Sequence, residues 1–72
     1  MDRLYMNIRN RRKELRMTQK ELAEKCGYTD HTTINKMENG KVDVTFGKLQ
    51  LIAEALETTV VDLIFGGADD EV

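Results

Sequence analysis

Residues 18–40 read TQKELAEKCGYTDHTTINKMENG, and the fold turns on them. Thr18 and Glu21 stand at capping-box spacing: the threonine oxygen accepts an orphan N–H of the first helical turn, and the glutamate reaches back to the N–H of Thr18. Leu22, Ala23 and Cys26 follow at helical spacing, and Gly27 supplies the positive φ with which a helix is commonly ended. After a few turn residues Asp30 is placed to cap another helix, from His31 to Asn39, whose Ile34 and Met37 face inward; Gly40 stops it. The stretch therefore predicts two short helices joined by a glycine-containing turn.

Working outward, the spacing predicts a preceding helix from Asp2 to Arg16, with Leu4, Ile8 and Leu15 on one face and Arg12 close to it. The basic run from Arg9 to Lys13 covers the rest of that helix, and with Arg16 it reads as a solvated face. On the other side, Thr45 caps a fourth helix that presents Phe46, Leu49, Ile52, Ala53 and Leu56 to the core. Thr59, with Asp62 three residues on, caps a short fifth helix carrying Val60, Leu63, Ile64 and Phe65, which Gly66 and Gly67 close. Strand-like alternation is confined to Val42, Val44 and Phe46, so the chain reads as all-α. Residues 1–67 are expected to form one domain, and the acidic residues 68–72 a disordered tail.

With 72 residues, 40% of them apolar and 33% charged, the chain suits one small soluble domain and excludes two. A core this thin usually needs disulfides, a metal or a partner subunit. Cys26 is the lone cysteine and His31 the lone histidine, so neither an internal disulfide nor a structural zinc can be drawn. No metal or cofactor is expected, and Cys26 is read as a small buried hydrophobe. No apolar run approaches the roughly 20 residues of a membrane span, and the N-terminus lacks a signal-peptide core. A cytoplasmic location is expected.

The net charge of −2 conceals an asymmetry. Residues 1–41 hold ten Lys and Arg against six Asp and Glu, a net of +4, whereas residues 42–72 hold Lys48 against seven acids, a net of −6. The basic part is compatible with an anionic partner. Within it, the second helix of the pair displays small polar and basic side chains opposite its apolar residues, the pattern of a helix-turn-helix DNA reader.

The detailed residues narrow this further: Ile8 and Arg12; Thr18-Gln19, Glu21-Leu22-Ala23; Gly27-Tyr28; Thr33 through Lys41; and Leu49, Ile52-Ala53, Ala55-Leu56. In order and spacing they closely resemble the Cro/cI-type helix-turn-helix family, the lambda-repressor-like fold of phage repressors and many small bacterial regulators. The resemblance covers residues 4–65. The turn between Gly27 and Ile34 is one residue longer than in the shortest family versions, Arg16 stands where glycine is frequent, and Val44 where proline is frequent.

The resemblance implies a role for each of a small set of residues. Thr18 and Gln19, at the start of the first helix of the pair, would meet a backbone phosphate; Asn39 and Lys41, at the end of the second, would hold another. His31, Thr32, Asn35 and Lys36 would enter the major groove. There lysine can donate to guanine O6 and N7, asparagine can pair with adenine, and the threonine methyl can touch a thymine methyl. Arg12 and Glu38 would form a structural ion pair between the first helix and the end of the recognition helix. Val61, Ile64 and Phe65 leave more apolar surface than a five-helix monomer needs and are expected to form a homodimer interface, which would demand a pseudo-palindromic operator.

The expected partner is thus an operator in double-stranded DNA; at the C-terminal end the alternatives to a homodimer are a helix that closes the monomer core, a partner protein or a further C-terminal domain. The reading is a transcriptional regulator, most simply a repressor. Its rival is an interaction module, for example an antitoxin that neutralises a partner protein through the acidic C-terminal half. No nucleophile elbow, paired carboxylate site or phosphate-cradling glycine loop appears in the sequence, so no enzyme activity is expected.

Overall fold

The computed structural model describes residues 2–66. Among them the chain forms α1 (Asp2–Glu14), α2 (Gln19–Lys25), α3 (Thr32–Glu38), α4 (Phe46–Ala55) and α5 (Val60–Phe65), and no strand, as expected for an all-α, five-helix domain. The expected acidic tail, residues 68–72, lies outside the described residues, as does Gly67.

Threonine side-chain caps start three of the helices, α2, α4 and α5. The hydroxyl oxygens of Thr18, Thr45 and Thr59 accept from the N–H groups of Glu21, Lys48 and Asp62, and Glu21 Oε1 completes the capping box by accepting from Thr18 N at 2.8 Å. The expected cap of α3 shifts by one residue: its N-cap is His31, which makes no side-chain cap bond, while Asp30 Oδ1, one residue earlier, accepts the N–H of Thr32 at 2.8 Å. At the other ends, Gly27 at φ 84° and Gly40 at φ 71° turn the chain out of α2 and α3, with the paired amide bonds of a Schellman motif. Arg16 and Glu57, each at φ 57°, do the same after α1 and α4. The left-handed turn at Arg16 is why α1 stops at Glu14 rather than running on to Arg16.

Every helix contributes to one core. Ile8, Leu22, Ile34, Met37, Ile52 and Leu56 are fully buried, joined by Tyr5, Ala23, Cys26, Leu49, Ala53 and Leu63. Each large side chain sealed in this way contributes roughly 1.5 to 3 kcal/mol. α1 packs on α3 and α5, and α2 on α3 and α4, so α3 is held from two sides. Burial pushes the Cys26 thiol pKa up, which keeps it neutral in its apolar setting.

Two core expectations need correction. Phe46 is 63% exposed: as the first residue of α4 its side chain leans toward the helix N-terminus and so past the end of the core. Tyr5 is buried where Leu4 and Leu15 are only half-buried, because the inward stripe of α1 is Tyr5, Ile8 and Arg12. Arg11, read as part of a solvated face, ties α1 to the end of α4. Its Nε donates to Leu56 O at 2.9 Å and its Nη2 to Glu57 O at 3.2 Å, so two carbonyls at that helix end have a charged partner. Asn7 Nδ2 likewise donates to Leu63 O in α5, at 2.7 Å.

Candidate nucleic-acid interface

α3 has two opposed faces. Ile34 and Met37 are sealed against the core, while Thr32, Asn35 and Lys36, at i, i+3 and i+4, are exposed on the other side with His31 beside them. The structure thus brings all four expected base-reading residues to one solvent-facing surface. The hydrogen bonds from Thr32 lower the Asp30 pKa, with smaller help from His31 and Lys36. The turn leading into α3 is held from α4, where the Lys48 ammonium lies 4.6 Å from the centroid of the Tyr28 ring.

The other end of α3 is fixed by a buried ion pair. Arg12 Nε donates to Glu38 Oε2 at 2.7 Å and Arg12 Nη2 to Glu38 Oε1 at 3.1 Å, a two-pronged contact in which the side chains are 11% and 3% exposed. The third arm, Arg12 Nη1, donates to Met17 O at 2.8 Å, just before α2. One guanidinium therefore joins α1, the α1–α2 turn and the end of α3. Removing either partner strands a buried charge, a loss of about 3 to 5 kcal/mol.

The residues expected at phosphates flank this face at the start of α2 and the end of α3. Thr18 is exposed; its oxygen accepts from Glu21 N, which leaves the O–H free to donate. Gln19 is half-buried and donates through Nε2 to Glu38 Oε1 at 3.1 Å, a bond nothing in the linear sequence announces because it crosses between two helices. Lys41 is exposed. Asn39 is exposed as well, but its amide is turned back: Nδ2 donates to Asn35 O at 2.9 Å and lies 3.4 Å from Asn35 Oδ1. Val61, Ile64 and Phe65 lie on α5, 61%, 39% and 68% exposed.

A helix-turn-helix family model matches residues 8–63, well over half of the chain. The chain belongs to the helix-turn-helix family. That is the family its residues resemble, and the matched stretch contains every residue assigned above to a base, a phosphate or the ion pair. Ile64 and Phe65 fall just beyond it. Among solved structures, this helix-turn-helix domain is similar to the clp gene regulator ClgR from Corynebacterium glutamicum, with a TM-score of 0.83 and 25% sequence identity. The match covers 88% of this chain and 66% of that one. No curated protein is significantly similar to the chain in sequence. Among the described residues no helix is long and apolar enough to cross a membrane.

Proposed function

We propose that this helix-turn-helix domain is a sequence-specific DNA-binding transcriptional regulator. It lays α3 in the major groove and represses by occluding a promoter, two copies sitting on a pseudo-palindromic operator. Family membership and the likeness to a gene regulator support the coarser part, a DNA-binding regulator of transcription. The observation that supports major-groove reading by α3 is its two-sidedness. The helix offers donors, an acceptor and a methyl group to solvent on one face, while its other face and its last residue are locked into the core.

In this reading Lys36, Asn35, Thr32 and His31 read base edges. Thr18, Gln19 and Lys41 hold phosphates, with Asn39 joining them when its amide leaves Asn35. Gln19 has a second Nε2 hydrogen to give, since an amide carries two and Glu38 takes one.

The test is selection of bound duplexes from a random DNA library at near-physiological salt, followed by sequencing. A two-fold symmetric motif with half-sites about one helical turn apart is expected. A single unsymmetrical half-site keeps the reader and removes the dimer. An absence of enrichment overturns the reading and moves the weight to a protein-interaction module.

A further inference from the structure

The carboxylate of Glu38 accepts on both oxygens while its side chain is 3% exposed. Oε1 is shared between Arg12 Nη2 and Gln19 Nε2, each at 3.1 Å, and Oε2 takes Arg12 Nε at 2.7 Å. The same arginine holds Met17 O at 2.8 Å. The start of α2 is thereby pinned twice, through the backbone of Met17 just before it and through the side chain of Gln19 in its first turn. A glutamine on a helix surface is otherwise a flexible side chain, and ordering it at a phosphate carries an entropic cost.

We infer that Glu38 is a positioning residue for DNA binding: it holds Gln19 in the orientation that reaches the phosphate, without touching DNA itself. The inference rests on the reading of Gln19 as a phosphate contact and extends it to a residue that the family resemblance assigns only to an ion pair. Glu38 brings a negative charge close to an anionic ligand. Its two-pronged pairing with Arg12 offsets that charge, so the hydrogen-bond acceptor is retained with little repulsion.

A double-mutant cycle in the full chain tests this, read as affinity for a labelled mixed-sequence DNA duplex at low salt. Phosphate contacts act on any sequence, so no operator is required. The variants are Gln19→Ala, Glu38→Gln and the two combined. The charge lost with Glu38 acts in both backgrounds and cancels in the cycle, leaving the coupling. Gln19→Ala is expected to weaken binding about three- to tenfold when Glu38 is present, and to change it little when Glu38 is replaced. A merely structural role for Glu38 leaves the Gln19→Ala factor equal in both backgrounds; that result overturns the inference and keeps Gln19 at the phosphate. If Gln19→Ala has no effect in either background, the phosphate reading itself falls, and the inference with it.

Should Glu38→Gln not fold, the cycle is repeated on Arg12→Met with Glu38→Met, which replaces the whole buried pair by apolar side chains. The same equality or inequality of factors decides it. In either set, thermal melts confirm that the proteins compared are folded.

Discussion

Arg16 and Glu57 both hold φ at 57°, where an L side chain with a Cβ costs about 1 to 2 kcal/mol relative to ordinary backbone. Glu57 bonds through its backbone: its N–H donates to Glu54 O, and its carbonyl accepts from Arg11 Nη2. Glu57→Gly keeps both bonds and removes the strain, set against the roughly 0.5 to 1 kcal/mol that glycine loses in chain entropy. A net gain of about 0.5 to 1 kcal/mol is expected, seen as a rise in Tm of about 2 to 8 °C. An unchanged or lower Tm removes strain at Glu57 as a feature of this fold. On the proposed reading, Lys36 on α3 and Lys41 just beyond it have different roles at the DNA. Lys36→Ala should lose about 1 to 3 kcal/mol and relax specificity at one operator position. Lys41→Ala should instead weaken binding to all sequences and reduce the slope of log affinity against log salt by ~0.9. Titrations of operator, mutated operator and mixed-sequence DNA at several salt concentrations distinguish the two; equal uniform losses contradict the division of roles.

At the scale of the element, α3 depends on Asp30. The carboxylate accepts the Thr32 N–H, and its pKa is lowered from 3.8 chiefly by that bond. A carboxylate with a depressed folded-state pKa adds stability that is present above its unfolded pKa and lost as pH falls through the folded one. The start of α3 is therefore expected to loosen only below about pH 3.8, carrying the neighbouring His31 and Thr32 with it. Amide hydrogen exchange at Thr32 reads this directly: Asp30→Ala should speed it at neutral pH, whereas Asp30→Asn, which keeps an acceptor oxygen, should restore much of the protection. The helix starts were legible in the sequence because caps are local; each threonine sits three residues before the N–H it receives. The opposed faces of α3 were legible for a related reason, since burial at Ile34 and Met37 follows helical period. Period fails at ends and with mixed side chains. Phe46 matches the α4 stripe yet projects past it, and Tyr5, apolar in body and polar at its tip, was passed over in favour of Leu4 and Leu15. The bonds of Arg11 to Leu56 and of Gln19 to Glu38 span 45 and 19 residues and exist only once helices pack, so no local pattern could have shown them.

The described residues span 39 × 23 × 19 Å and hold one helix-turn-helix, which on the proposed reading serves one half-site. Reading an operator of two half-sites about 34 Å apart takes two copies held in register. The surface available for this is on α5, where Val61 and Phe65, at i and i+4, are 61% and 68% exposed. Two apolar side chains this open gain nothing from the monomer core, so replacing them should leave the fold intact. Val61→Ser with Phe65→Ser is accordingly expected to preserve Tm at low protein concentration while shifting sedimentation from dimer to monomer. Linking two readers makes the second contact intramolecular, an advantage of about 10²-fold or more. The double variant should therefore lose about that factor on a symmetric operator and nothing on an isolated half-site. Equal affinity of wild type and variant for the symmetric site, with unchanged sedimentation, would mean that α5 does not join two copies and that its exposed face serves a different partner.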